Sequence, residues 1–247
     1  MTRRDGTPLS RQMTGLRVWI WLAAAGASAG ALALLSVSIE NDPFPSQDRT
    51  VLDRVSGWDF PGLEGYFEFS SMLTDSWALV GFGLAGFAFL WFSRLRRQAT
   101  AYLFGGVIVA LFALAGDYAI GNAVGRSSPA VDGSATSFPS GHVFGGTVAV
   151  GLLIFLAAHY RLERVLLVPL IVLSSVIAIS AGLARIHSQV HWPSDVAAGY
   201  LLAALWLLVL VPLTLGIEKA GWVPPPPAEC PLRLDMPKKP LKTERVT

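Results

Sequence analysis

Residues 138–158 read FPSGHVFGGTVAVGLLIFLAA, a short polar loop that leads directly into an apolar segment. The apolar part, residues 143–158, carries no charged side chain. A membrane span needs about 20 apolar residues, so this segment must borrow some of the residues that flank it. We therefore expect the polar tetrapeptide 139–142 to lie at a membrane boundary.

Five further apolar segments determine the fold class. Together with segment 143–158, the six apolar segments run over residues 18–39, 77–93, 101–124, 143–158, 165–184 and 196–217. The chain is 53% hydrophobic and only 15% charged, whereas soluble domains carry about 25% charged residues. The sequence thus predicts an all-α fold, a bundle of six transmembrane helices. A net charge of +2 gives no indication of nucleic-acid binding, and Cys230, the single cysteine, has no partner for an intrachain disulfide.

The N-terminal apolar segment, residues 18–39, resembles a signal peptide in its run of small residues. It spans 22 residues, 18–39, whereas the apolar core of a signal peptide has about 7–15. We interpret it as an uncleaved membrane anchor.

The distribution of basic residues predicts the orientation. With six spans, both termini lie on one side, and that side holds 15 of the 19 Lys and Arg residues. Because cytoplasmic loops carry the excess of Lys and Arg, the termini are expected in the cytoplasm. The loops around residues 126–142 and 185–195 then face the extracytoplasmic side of what we take to be a bacterial inner or plasma membrane.

Two segments outside the spans have distinct compositions. In the first outer loop, residues 40–75, the apolar residues Val51, Leu52, Val55 and Trp58 recur at helical spacing. They predict an amphipathic helix, which either lies in the membrane interface or caps the bundle. Residues 1–217 form the predicted membrane domain. Residues 218–247 form a Pro-rich, basic tail that we expect to be cytoplasmic and disordered.

Chemistry-bearing residues cluster at two of the predicted boundaries. Ser140, Gly141 and His142 directly precede the fourth span. A helix start offers free N–H groups that bind anions such as phosphate, and glycine lets a ligand approach the backbone closely. An ordinary serine cap of the following helix is the alternative interpretation.

The second cluster is the pattern Arg185-x5-His191-x3-Asp195, which joins the fifth and sixth spans. Pro193 suits the first turn of a helix, so Asp195 is expected in that turn and His191 just before it. The carboxylate then either orients the imidazole or caps the helix and complements its dipole. Two histidines, an arginine and a carboxylate at one boundary favour a catalytic site.

These two segments closely resemble the second and third signatures of the type 2 phosphatidic acid phosphatase family, PSGH and R-x5-H-x3-D. The resemblance extends over about residues 116–199 by motif. It implies a membrane phosphatase that works without a metal or another cofactor. Ala184 stands where the family often has serine, which removes one possible hydroxyl contact.

The resemblance also implies a role for each matching residue. His191 corresponds to the nucleophile that forms a phosphohistidine, and Asp195 to the carboxylate that orients it. His142 corresponds to the general acid that protonates the leaving alkoxide. The phosphate ligands correspond to Ser140, Gly141 and Arg185.

The first signature of the family, K-x6-R-P, is degenerate in this chain. Its lysine and arginine correspond to Gly121 and Ser128 in the run that ends at Pro129. Arg126 is either a replacement phosphate ligand or an interfacial anchor residue, and both interpretations stay open. Asp117, an ionisable residue within a predicted span, is a further candidate, with a helix–helix hydrogen bond as the alternative.

The activity implied by the resemblance is hydrolysis of a lipid mono- or diphosphate at the extracytoplasmic face. A polyprenyl diphosphate, such as undecaprenyl diphosphate of the cell envelope, is the preferred substrate. Phosphatidylglycerol phosphate, phosphatidate and lipid A phosphate are alternatives. A lipid phosphotransferase and a non-catalytic lipid-phosphate-binding relative are the competing functions. The expected partners are the substrate and the surrounding membrane lipids.

Overall fold

The computed structural model describes residues 8–92, 95–130, 136–160 and 162–222. These residues form eight α-helices, and their only extended pairing is an isolated antiparallel bridge between Ser127 and Thr136. The helices are α1 (Pro8–Asn41), α2 (Ser46–Ser56), α3 (Leu63–Leu73), α4 (Ser76–Phe92), α5 (Arg96–Val124), α6 (Gly141–His159), α7 (Arg164–His187) and α8 (Pro193–Lys219). The predicted all-α class is confirmed. The predicted tail lies outside the described residues from residue 223 onward.

Each predicted apolar segment coincides with a helix over its described residues, but the structure does not confirm the number of spans. Four helices of the described chain are long and apolar enough to cross a membrane, namely α1 from Val18, α6, α7 and α8. The pair α3 and α4, bent by 54°, makes a fifth if it counts as one broken span. The helix α4 has only 17 residues, about 26 Å at ~1.5 Å per residue, which is less than the ~30 Å apolar core of a bilayer. The count of six spans is therefore not confirmed.

The helix α8 organises the bundle because it packs against both α1 and α6. Buried residues of these three helices and of the loop before α6 form one apolar cluster: Leu32, Ile39, Phe138, Phe144, Ala198, Leu202 and Ala203. Phe138 is 1% exposed. The polar loop is thereby fixed to the starts of α6 and α8.

The predicted outer-loop helix is α2, and it covers the end of the bundle. Leu52 and Val55 are buried in a second cluster with residues of α6, α7, α8 and the connection before α8: Val143, Ile186, Val196 and Trp192. Val51 and Trp58 are 41% and 37% exposed. The buried face of α2 therefore favours the cap interpretation for Leu52 and Val55.

A glycine sets how closely α8 approaches the start of α6. A Cβ atom on Gly199 would lie 2.9 Å from the carbonyl oxygen of Ser140 and 3.1 Å from Cβ of Val143. The first distance is shorter than real contacts allow, and the atom it meets belongs to the backbone. Only glycine at position 199 permits this packing.

The replacement Gly199→Ala should therefore destabilise the protein by about 1–3 kcal/mol, because the start of α6 must move to admit the methyl group. Gly216→Ala is the matched control on the same helix, since nothing lies within 4 Å of its added Cβ. Thermal unfolding in detergent measures the difference. Equal unfolding temperatures for the two variants would contradict the assigned close packing.

Candidate active site

Three helix ends meet at one face of the bundle and bring the predicted residues together. His142 lies in the first turn of α6, Arg185 in the last turn of α7, and Asp195 in the first turn of α8. His191 lies in the short connection between α7 and α8. The Ser140 amide donates a 3.0 Å hydrogen bond to the Asp195 carbonyl, which joins the start of α6 to that of α8.

The imidazole of His191 is held by a backbone carbonyl. Its Nδ1 lies 2.8 Å from the carbonyl oxygen of Ser137 and 3.8 Å from Oδ2 of Asp195. A carbonyl only accepts hydrogen bonds, so Nδ1 carries the proton and Nε2 keeps its lone pair. The carbonyl of Ser137 thus fixes the tautomer, and Asp195 lies beyond hydrogen-bond distance of the ring.

The carboxylate of Asp195 is fully buried and has its own partners. Its Oδ2 accepts a 2.9 Å hydrogen bond from the amide of Trp192, and its Oδ1 accepts a 2.7 Å hydrogen bond from Arg126. The first of these contacts caps α8, as one of the two sequence interpretations proposed. The carboxylate therefore contributes to the helix start and to an ion pair, and acts on His191 only at longer range.

Two polar groups beside the histidines have no hydrogen-bond partner among the described residues. They are Oγ of Ser140 and Nε of Arg185, and both atoms are buried. Ser140 precedes α6, but its side chain forms no cap bond, so the alternative of an ordinary serine cap loses its support. Buried polar atoms are normally paired, so this pair indicates a place for a ligand. The N–H groups of the first α6 turn, beginning at Gly141, supply further donors for an anion.

A carboxylate that the sequence interpretation missed faces His142. Oδ2 of Asp75, in the turn between α3 and α4, lies 3.4 Å from Nε2 of His142. The amide of Trp77 donates to Asp75 and lowers the pKa of that carboxyl, and His142 acts in the same direction. The only sequence signal was a carboxylate directly before the apolar segment 77–93.

The side chain of Arg126 is buried among protein groups, a placement that neither sequence interpretation anticipated. The residue is 2% exposed, so it is not an anchor at the membrane surface. Its guanidinium contacts two carboxylates, Asp48 at 2.6 Å and Asp195 at 2.7 Å. Asp48, on α2, was not among the predicted site residues.

The two positions that lack the motif cations have packing roles of their own. A Cβ on Gly121 would lie 2.7 Å from Oγ1 of Thr136 and 3.0 Å from the Phe138 carbonyl oxygen. The hydroxyl of Ser128 donates a 2.7 Å hydrogen bond to the carbonyl of Val190. Both positions thus support the loops that carry the histidines.

Asp117 lies one helical turn before Gly121. Its Oδ1 is buried and without a hydrogen-bond partner in the described chain. Its Oδ2 would lie 3.3 Å from a Cβ on Gly141. This carboxylate therefore borders the start of α6, and the helix–helix hydrogen bond considered for it is not formed by Oδ1.

Comparison with known proteins agrees with this geometry. Residues 117–217 match the PAP2 superfamily, and this range contains both histidine segments. One crystal structure, of the first transmembrane PAP2 type phosphatidylglycerolphosphate phosphatase from Bacillus subtilis, matches with a TM-score of 0.66 and 21% identity, over 79% of this chain and 96% of that chain. No curated protein matches the sequence. The family match covers both segments that carry the predicted resemblance, and the fold is similar to that of a transmembrane PAP2 protein.

Proposed function

We propose that this chain, whose residues 117–217 match the PAP2 superfamily, is a membrane lipid phosphatase that works through a phosphohistidine at His191. The observation that carries the proposal is the buried pair of unpartnered groups, Ser140 Oγ and Arg185 Nε, beside His142 and His191. A phosphoryl group offers the acceptor oxygens that these donors lack. Phosphoryl transfer needs mainly positioning and charge stabilisation, which this arrangement can provide.

The proposed reaction has two steps. Nε2 of His191 attacks phosphorus, the bond from phosphorus to the leaving oxygen breaks, and His142 gives its proton to that oxygen. A water molecule then attacks the phosphorus of the phosphohistidine, and His142 takes a proton of this water. The bond from phosphorus to Nε2 breaks, which frees the imidazole of His191 and releases inorganic phosphate. Ser140, the Gly141 amide and Arg185 hold the phosphate oxygens throughout.

Two substrates deserve to be tested first. A polyprenyl diphosphate is our preferred substrate, from the predicted extracytoplasmic site and the family resemblance. Phosphatidylglycerol phosphate is the second candidate, because the matching Bacillus subtilis structure is of a phosphatidylglycerolphosphate phosphatase. The test measures phosphate release by the purified protein from these two lipids, from phosphatidate and from lipid A. The rates of release rank the four substrates. A chelator in parallel assays tests the proposed independence from metals.

The same assay separates the competing functions. Transfer to another acceptor gives a phosphorylated acceptor instead of free phosphate. A binding relative retains the lipid phosphate and releases nothing.

The nucleophile assignment leads to a direct test. His191→Ala should abolish both phosphate release and the acid-labile phosphoenzyme, because it removes the nitrogen to which the phosphoryl group is proposed to be transferred. His142→Ala should lower kcat by about 10²–10⁴-fold, with a smaller loss for a substrate whose leaving group needs no protonation. His187→Gln is the matched control, since Nε2 of His187 faces the carbonyl of Trp58. A phosphoenzyme that persists in His191→Ala would overturn the assignment.

The Asp75–His142 contact predicts a pH effect. Ionised Asp75 favours the protonated imidazole that acts as general acid, so its loss should move the descending limb of the kcat–pH profile to lower pH. The shift in Asp75→Asn should be less than about one pH unit, because the pair is partly exposed to solvent. Glu64→Gln, an exposed carboxylate on α3, should leave the profile in place. A profile unchanged in Asp75→Asn contradicts a role for this carboxylate.

The proposed orientation can be tested by cysteine labelling. In a Cys230→Ser background, Asp59→Cys in the outer loop and Arg97→Cys at the start of α5 both introduce thiols at exposed positions. A membrane-impermeant maleimide should label position 59 in intact cells, and position 97 only after lysis. The reverse pattern would place the site in the cytoplasm and exclude an outer-leaflet substrate.

A further inference from the structure

We infer that Arg126 and Asp48 form a buried support that positions Asp195 and His191, and that Arg126 is a positioning residue with no contact to phosphate. The inference rests on the proposed function of His191 as the nucleophile. It assigns a task to an arginine of the degenerate first signature, and it makes α2 of the outer loop part of the active-site structure.

The hydrogen bonds of the Arg126 side chain are the first observation. A guanidinium has five N–H donors. The guanidinium of Arg126 donates four hydrogen bonds, and all four acceptors belong to the protein. Nε donates to the carbonyl of Pro43 at 2.7 Å, and Nη1 donates to Oγ of Ser194 at 2.6 Å and to Asp195 at 2.7 Å. Nη2 donates to Asp48 at 2.6 Å. Little of this group remains for a phosphate.

The backbone of Arg126 holds Ser137, the residue whose carbonyl contacts the ring of His191. The amide of Ser137 donates a 2.8 Å hydrogen bond to the carbonyl of Arg126. The carbonyl of the same Ser137 accepts the hydrogen bond from Nδ1 of His191. Arg126 thus fixes Asp195 through its side chain and the Ser137 peptide through its main chain.

Asp48 completes the support from the opposite side. Its carboxylate accepts hydrogen bonds from the amide of Ser194, at 3.0 Å, and from the Ser194 hydroxyl. It is 5% exposed. A carboxylate at the first turn of α8 also complements the dipole of that helix. Asp48 therefore ties α2 to the helix start that follows His191.

The charges of this group distinguish a support from a phosphate ligand. Two carboxylates face the single guanidinium of Arg126, so the group as a whole offers no positive charge to a phosphate. If Arg126 were a ligand, removal of the Asp48 charge would free it and lower KM. If Arg126 is a support, the same change loosens Asp195 and the His191 turn and lowers kcat.

The test compares Asp48→Asn and Arg126→Lys in the full-length protein, with phosphatidylglycerol phosphate and a polyprenyl diphosphate as substrates. We expect kcat and the rate of phosphohistidine formation to fall about 10²-fold, the effect of a displacement of roughly 1 Å at a reacting group. KM should stay unchanged. Asp53→Asn is the control on the same helix, since Asp53 is exposed. A lower KM with unchanged kcat in Asp48→Asn would overturn the inference.

Folding and the proposed function are controlled separately. If Asp48→Asn does not fold, as judged by gel filtration and thermal unfolding, Ser194→Ala takes its place, because it removes two hydrogen bonds and keeps every charge. It should still lower kcat at constant KM, and wild-type kcat in this variant counts against the support. If the wild-type protein releases no phosphate, the proposed function fails. The ¹⁵N shift of His191 Nδ1 in wild type and Arg126→Lys then tests the positioning alone, and an unchanged shift refutes it.

Discussion

A carboxylate buried at the start of a helix is the constraint on which this end of the molecule depends. Asp195 is fully enclosed, and a buried charge is tolerated only when it is paired and hydrogen-bonded. Removal of one partner of such a pair typically costs about 3–5 kcal/mol, because the other charge remains buried and uncompensated. The amide of Trp192 and the guanidinium of Arg126 meet this requirement. Arg126 in turn brings in Asp48, and with it the outer-loop helix.

The distribution of paired and unpaired polar groups divides the site into a support and a binding surface. In the support, the polar atoms of Asp195 and Asp48 are engaged by protein donors. A few residues away in the chain, Oγ of Ser140 and Nε of Arg185 are equally buried but have no partner in the described part of the chain. A uniformly unpaired cluster would indicate poor packing, and a uniformly paired one would leave nothing for a substrate. This contrast between neighbours is the reason for proposing Ser140 and Arg185 as phosphate ligands.

The sequence predicted the two histidine segments and every helix of the described chain except α3, because these features depend on local patterns. Apolar runs and the Pro193 helix start are properties of consecutive residues, and the structure places them as expected. Asp48 and Asp75 were missed because their contacts are long-range: Asp48 reaches Arg126 across 78 positions and Ser194 across 146. The contacts of Arg126 with Asp195 and Asp48 were missed for a related reason. A motif aligned by sequence reveals that an arginine is present, but the direction of its side chain depends on elements far away in the chain.

The packing around Gly121 shows what a side chain at the position of the motif lysine would meet. An added Cβ would lie 2.7 Å from Oγ1 of Thr136 and 3.0 Å from the backbone carbonyl oxygen of Phe138, so both neighbours would have to give way. A threonine side chain can rotate, but the Phe138 carbonyl lies in the loop that leads to Ser140 and cannot move alone. The close approach of α5 to this loop therefore favours glycine over a longer side chain at position 121. In the proposed site, the attraction for a phosphate comes from Arg185 and from the N–H groups at the start of α6, where the helix dipole also favours an anion.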